Sequence, residues 1–218
     1  MDDGESRPRR LSRSETKART RSLLLEAAAR VFARKGYAAA SVDEIAGSAG
    51  FSTGALYSNF AGKKDLFFEL LSSRNSEQLA EAAAIASDRA DGLEESRRRL
   101  SEFLLDLTDA DKDMVPLQVE FWLHAIAHPE FRERFVAQFH SHRDTLAQVL
   151  TRRAEDRDQS ADAPYDQAAT VVLALFRGLT QLRRVEPDLV PDDLYGTALH
   201  WLFLGLTTSS APECRPQD

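Results

Sequence analysis

The sequence predicts an all-α protein, with a small N-terminal bundle followed by a larger helical body. Apolar residues recur at three- and four-residue spacing along almost every segment, and no run of alternating β-branched residues reaches strand length. Pro116, Pro129, Pro164, Pro187 and Pro191 fall where first turns or connections are expected. With 218 residues, 43% of them hydrophobic, the chain is long enough for one large domain or for a small domain joined to a larger one.

After a polar, arginine-rich arm, KARTRSLLLEAAARVFARKGY predicts a first helix. Leu24, Ala28, Val31 and Phe32 share one stripe of it, and Gly36 at the C′ position ends it. SVDE predicts a capping box that opens the second helix: the Ser41 hydroxyl accepts from the Glu44 N–H, and the Glu44 carboxylate reaches back to the Ser41 N–H. Val42, Ile45, Ala46 and Ala49 give this short helix one buried side, and Gly50 stops it. Ser52 caps the third helix, with Phe51 and Leu56 spaced as a hydrophobic staple. Two short helices joined by a tight glycine-containing turn form a helix-turn-helix.

A fourth helix starts near Gly62 and runs to about residue 87, where DRADG, residues 88–92, marks a break. Further helices are expected over roughly 93–108, 115–127, 129–156, 165–185 and 191–208. The expected divisions are a disordered basic arm over 1–15, a helix-turn-helix domain over 16–62, a helical body over 63–210 and a flexible tail over 211–218. The sequence has no evident internal repeat.

The formal net charge of -7 argues against indiscriminate binding to polyanions, but it is unevenly placed. Residues 1–75 carry 13 Lys/Arg against 9 Asp/Glu, and the remainder 15 against 26, which gives a basic head and an acidic body. The one cysteine, Cys214, excludes an intrachain disulfide framework and fits a reducing compartment. MDDGESRPRR lacks the apolar region of a secretory signal, and the longest apolar stretch, residues 194–206, is too short to span a bilayer. A soluble, cytoplasmic protein is expected. The five histidines, His124, His128, His140, His142 and His200, find no matching Ser/Asp or Cys/Asp arrangement, so neither an enzyme nor a cofactor is expected.

In the second helix of a helix-turn-helix, one face locks onto the core while the other meets bases and phosphates in the major groove. FSTGALYSNF, residues 51–60, divides in that way. Leu56 and Phe60, four apart, are the anchors, and Ser52, Thr53, Gly54, Tyr57, Ser58 and Asn59 remain for DNA. Gly54 lets the backbone come close, Thr53 offers a hydroxyl and a methyl to base edges, and Tyr57 can donate to a phosphate oxygen. Lys63 and Lys64 sit at a helix start, where cations oppose the macrodipole by roughly 0.3–1 kcal/mol each. A phosphate there would reverse the sign, and Ser41 can offer its N–H or hydroxyl to the same DNA backbone. Spacing alone also allows a small capped surface helix with incidental polar residues. In SRPRRLSR, residues 6–13, Arg7, Arg9, Arg10 and Arg13 could follow the minor groove, although such segments are more often simply solvated.

The run LLLEAAARVFARKGYAAASVDEIAGSAGFSTGALYSNFAGKKDLFFELL resembles the N-terminal DNA-binding domain of the TetR family of transcriptional regulators. It carries the family's helix, G-Y/F, S/T-V-x-x-I-A-x-x-A-G, S-x-G-x-L-Y-x-x-F and K-x-x-L without insertion. The resemblance implies a homodimer of all-α subunits, with three N-terminal helices reading DNA and a helical core that binds a small effector and forms the dimer. It places Ser41, Thr53, Tyr57 and Lys63 on the usual DNA-contacting positions. Two departures stand out: Gly62 replaces the usual capping Ser or Pro-Ser, and Asn59 occupies a position often held by His.

QVEFWLHAIAH, residues 118–128, and PEFRERFVAQFH after it resemble more weakly a C-terminal subtype found in many TetR-like proteins. Phe103, Phe121, Trp122, Phe139 and Phe176, with Gln118, His124 and Arg177 as polar anchors, suit an apolar ligand pocket between helices; core packing is the default for each taken singly. Glu120, His124 and His128 are four apart, but His128 precedes a proline and no second ligand helix is evident, so no metal site is expected. Val171, Val172, Leu175, Phe176 and Leu179, then Leu199, Leu202, Phe203 and Leu206, make the last two long helices broadly apolar. Gly178, Gly196 and Gly205 permit close approach, and such helices are either covered by a second subunit or buried within one; the resemblance implies the dimer.

The expected function is a ligand-responsive transcriptional regulator, a repressor, that binds a pseudo-palindromic operator of double-stranded DNA as a homodimer. A small, largely apolar effector releases it. The alternative is a non-enzymatic helical DNA-binding structural or adaptor protein without an effector, which would use the basic head but not the aromatic-rich body.

Overall fold

The computed structural model describes residues 12–88, 92–110, 114–156 and 163–208. Among them there is no strand, and nine α-helices follow one another: α1 (Arg13–Ala39), α2 (Val42–Ser48), α3 (Thr53–Tyr57), α4 (Lys63–Ser87), α5 (Leu93–Ala110), α6 (Met114–Ala127), α7 (Pro129–Glu155), α8 (Tyr165–Val185) and α9 (Leu194–Thr208). The all-α expectation therefore holds. Two compact units divide the chain, Met1–Leu71 and Ser72–Asp218, with the boundary inside α4. Among the described residues no helix is long and apolar enough to cross a membrane.

In the first unit, α1 starts earlier than the expected arm boundary at residue 15. Ser12 and Glu15 form a capping box, with the Glu15 N–H donating to Ser12 Oγ (3.2 Å) and the Ser12 N–H to Glu15 Oε2 (2.7 Å). Gly36 breaks the helix at φ 75°, ψ 168°, a conformation that favours glycine, before one last turn. Leu24, Val31 and Phe32 of α1, Ile45 of α2, Leu56 of α3 and Leu66, Phe67 and Leu71 of α4 are all 0% exposed. Each such side chain contributes about 1.5–3 kcal/mol by leaving water, so even the five-residue α3 is fixed by one leucine. Phe32 and Phe67 meet edge to face at 5.2 Å, with Tyr37 4.5 Å from Phe67.

The second unit packs α7 on α8 and α5 on α9, with α6 against α7. Leu104, Leu146, Leu150, Val172, Leu179, Val190 and Leu199 meet in its core. α9 begins at Leu194 rather than near residue 191. Pro187–Leu189 forms a 3₁₀ turn that drives Val190 into the core, and the Thr197 N–H of α9 donates back to Asp193 O (2.9 Å). The break expected at DRADG falls between α4 and α5; residues 89–91 lie outside the described residues, as do the tail over 211–218, Cys214 and arm residues Arg7, Arg9 and Arg10. Arg13 is the first residue of α1.

Candidate nucleic-acid interface and ligand cavity

The α2-turn-α3 segment is built almost wholly from local signals. Ser41 caps α2 by accepting from Glu44 N (3.2 Å), Gly50 turns the chain at φ 74°, and Ser52 caps α3 by accepting from Ala55 N (3.2 Å). The second half of the expected Ser41 capping box is replaced. Both Glu44 carboxylate oxygens are drawn to α1, one accepting from Arg34 (2.6 Å) and the other from Lys35 (2.8 Å). The hydrogen bond from Lys35 is the main reason the Glu44 carboxyl titrates below its usual range. A bond to two cations outcompetes a bond to one backbone N–H.

With Leu56 and Phe60 buried, α3 turns Gly54, Tyr57 and Ser58 outward, and Tyr57 is 58% exposed. Thr53 is half-buried and is aimed by a neighbour that the spacing did not reveal: its hydroxyl donates to Asp43 Oδ1 at 2.6 Å, which leaves its methyl and remaining lone pair for a partner. A Cβ built on Gly54 would meet only Ser52 Oγ at 3.7 Å, so nothing inside the chain requires glycine there. The Ser58 hydroxyl donates to Ala55 O (2.8 Å).

Asn59 is less available than the sequence implies. Its side-chain nitrogen donates to Ala55 O at 2.8 Å, its Oδ1 is buried without a partner among the described residues, and its carbonyl accepts from Arg21 Nη1 at 2.5 Å. Arg21 also pairs with Glu69 (3.0 Å) and lies 4.2 Å over the Phe60 ring, so it clamps the end of the α3 turn to α1 and α4.

Lys63 has partners within the chain that its place at a helix start does not reveal. Its ammonium donates to the carbonyls of Tyr37 (2.9 Å), Ala38 (3.2 Å) and Ala40 (2.8 Å), and it stands 4.6 Å over the Tyr37 ring. A cation disfavoured by its own helix start thus serves as the cap for the C-terminal end of α1, where carbonyls lack helical donors. Three ammonium protons match three carbonyls. Lys64 is half-buried, and its charge partly offsets the burial that pushes the Tyr37 pKa up.

A cavity of about 1200 Å³ opens within the second unit. Of the eight expected pocket residues, Phe103, Gln118, Phe139, Phe176 and Arg177 line it. Phe121, Trp122 and His124 do not; they pack in an aromatic cluster with residues 128–135 instead. Phe121 is 1% exposed and meets Phe131 edge-on at 4.9 Å, Trp122 packs on Phe135 at 4.9 Å, and His124 stacks on His128 at 5.4 Å. The sequence missed His142 and Tyr195, which share the wall. Burial, then the charge of Arg177, pushes the His142 pKa down; burial alone raises that of Tyr195. Nothing in the local sequence around either residue signals a cavity formed by helices distant in the chain.

The apolar residues of α8 and α9 divide in two. Val172, Leu179 and Leu199 belong to the subunit's own core, and Leu175, Phe176, Leu202, Phe203 and Leu206 pack against it, so these residues are covered within the subunit. Val171, Leu182 and Val185 on α8 and Trp201 and Leu204 on α9 remain exposed, Val185 by 83% and Trp201 by 63%. A Cβ on Gly178 or Gly205 would meet nothing within 4 Å, whereas one on Gly196 would lie 2.8 Å from Arg97 O and 2.8 Å from Ser101 Oγ. Gly196 therefore serves the contact between α5 and α9 inside the subunit.

Comparison with known proteins covers both units. Residues 24–70 match the family described as bacterial regulatory proteins, tetR family, and residues 93–202 match the C-terminal domain of the BetI-type transcriptional repressor. The HTH-type transcriptional regulator TtgR of Pseudomonas putida is 30% identical over 194 residues, covering 86% of this chain and 90% of that protein. Among solved structures, SmeT, the repressor of the Stenotrophomonas maltophilia multidrug efflux pump SmeDEF, shares the fold at a TM-score of 0.61 and 23% identity, over 90% of this chain and 96% of that one. So does the transcriptional regulator FadR from Bacillus subtilis, solved in complex with stearoyl-CoA, at a TM-score of 0.63 and 16% identity, over 86% and 97% of the two chains.

Proposed function

This chain belongs to the TetR family of bacterial transcriptional regulators, and from that premise we propose that it is a repressor that binds a pseudo-palindromic operator as a homodimer and leaves it when a small, largely apolar effector enters the cavity of the second unit. The observation that carries the DNA half is the outward face of α3. Leu56 and Phe60 anchor it, Asp43 aims Thr53, Tyr57 is exposed, and Gly54 has room for a side chain that the sequence does not supply. A missing Cβ on an open face fits close approach of the backbone to DNA.

Ser41, Ser52, Thr53, Gly54, Tyr57, Ser58 and Lys64 are the proposed contacts, with Thr53 reading a base edge and the others positioning the helix on phosphates. Lys63 and Asn59 support that surface from behind, Lys63 by holding the end of α1 and Asn59 by closing the α3 turn. The dimer forms through α8 and α9. Val171, Leu182 and Val185 make one stripe with Gly178 at its middle, and Trp201 and Leu204 continue the apolar surface on α9. The two α3 helices must then sit roughly 34–36 Å apart, or a multiple of that, to enter successive major grooves.

Effector binding favours a conformation with a different separation, and only its differential affinity for the two conformations can drive release. α4 is the proposed link: Leu66, Phe67, Leu70 and Leu71 are core residues of the first unit, while Asn75, Gln78, Leu79, Ala82 and Ala86 on the same helix line the cavity of the second. The protein would act in the cytoplasm, where its operator is. Footprinting on DNA flanking its own gene tests this function. Protection of paired half-sites, abolished by a compound from a small-molecule library, supports it; uniform, sequence-independent coverage points instead to a structural DNA-binding protein.

A further inference from the structure

Three arginines line the cavity of the second unit, and the chain provides for them differently. Arg97 pairs with Glu94 and bonds to His200, and Arg153 donates to the Ala86 carbonyl and to the Ser96 hydroxyl (3.2 Å). Arg177, in the second half of α8, has no such partner among the described residues. There its guanidinium meets only ring faces, with Cζ 5.0 Å from the Trp122 centroid and 5.9 Å from that of Phe135. A guanidinium carries five N–H donors in a planar fork, and ring faces satisfy none of them in that plane.

Burial lowers the Arg177 pKa only to about 10, so the group is still cationic at neutral pH. No carboxylate among the described residues offsets its lost hydration, and His142 is pushed toward its neutral form by burial first and by the Arg177 charge second. Partly buried cations in this state favour an anion brought from outside. Much of the remaining wall is apolar, with Phe103 and Phe176 stacked at 6.0 Å and Phe139 and Leu79 beside the same space.

We propose, resting on the effector-cavity reading above, that the cavity is built for an amphipathic carboxylate whose two oxygens pair with the Arg177 fork while its apolar body lies against Phe103, Phe139 and Phe176. Two parallel N–H donors match two carboxylate oxygens in spacing and plane. The same charge disfavours cationic effectors of equal apolar bulk, so Arg177 both attracts one class and rejects another.

Calorimetric titration of the full chain, without DNA, with dodecanoate and dodecanol tests this, because the two probes differ only in the head group. Wild type is expected to bind dodecanoate about 10- to 100-fold more tightly than dodecanol, as a charge-assisted hydrogen-bonded pair implies. Arg177→Met should weaken dodecanoate alone and bring the two probes to similar affinity. Arg97→Gln, in the same cavity, should retain the preference. If circular dichroism shows that Arg177→Met does not fold, Arg177→Lys carries the test, and it should lose a large part of the preference because it keeps the charge without the fork. Equal affinity of wild type for both probes, no binding of either, or an undiminished preference in the Arg177 variant would overturn the proposal. Loss of head-group preference would leave effector-driven DNA release standing, whereas a probe that binds with preference and leaves DNA affinity unchanged would count against release and not against Arg177.

Discussion

Lys63 and Arg177 are both half-buried cations on helices, and they are provided for in opposite ways. Lys63 has three carbonyls from the end of α1 around its ammonium, whereas Arg177 has two aromatic faces and no acceptor beside its guanidinium among the described residues. In the first unit the Lys63 charge is matched internally, behind the polar face of α3; in the second, the Arg177 charge meets no acceptor among the described residues.

The largest expected effect follows from the Lys63 side of that contrast. Lys63→Ala removes the donor to three carbonyls and should lower the stability of the protein by about 2–3 kcal/mol, measured by urea unfolding. Intact stability together with a drop of about 0.9 in the salt slope of DNA binding would instead assign the ammonium to a phosphate and break the comparison. Next comes Gly196→Ala. Its Cβ would press on a backbone carbonyl at 2.8 Å, so a loss of about 1–3 kcal/mol is expected from overpacking between α5 and α9. Gly54→Ala is the matched control in the first unit: with only Ser52 Oγ at 3.7 Å it should leave the unfolding midpoint unchanged or slightly raised while operator affinity falls. Equal operator affinity would remove the argument that the backbone there approaches DNA.

Thr53→Ala should reduce discrimination at one or two operator positions by about 1 kcal/mol, and Asp43→Ala should reproduce part of that loss without touching DNA itself. Equal loss on operator and random DNA would rule out base reading by Thr53. The smallest effect concerns pH. The folded-state pKa of His142 lies below its unfolded value, so the unfolded chain binds the extra proton first, and the stability due to the neutral ring declines as pH falls from about the ordinary histidine pKa downward. His142→Gln should flatten that part of a thermal-unfolding profile; an unchanged profile would place the acid sensitivity elsewhere.

The first unit was legible in the sequence because its signals are local. Ser41, Gly50 and Ser52 act within four residues of themselves, and the Leu56–Phe60 spacing assigns both faces of α3. What escaped were bonds between helices: Glu44 to Arg34 and Lys35, Thr53 to Asp43, Arg21 to Asn59 and Lys63 to the end of α1, each about ten or more residues apart. The cavity was legible only in part for the same reason. Aromatic bulk on α6 pointed to it, but helix rotation decides which aromatic faces inward, and Phe121 and Trp122 turn to α7 while Phe103 and Phe176 turn to the cavity. Gly196 shows the converse: a glycine on an apolar helix signals close approach, but not to which neighbour.

The most direct test of the central claim, that one chain couples a groove-reading helix to a ligand cavity, is operator binding measured with the cavity filled. DNA flanking the protein's own gene is footprinted, and affinity is then read by fluorescence anisotropy with and without a saturating library compound shown by calorimetry to bind wild type. Protected half-sites whose centres lie about 10–10.5 base pairs apart or a multiple of that are expected, with an affinity that falls at least about tenfold when the compound is bound. Uniform protection, or an operator affinity that stays the same with the cavity saturated, would contradict that claim.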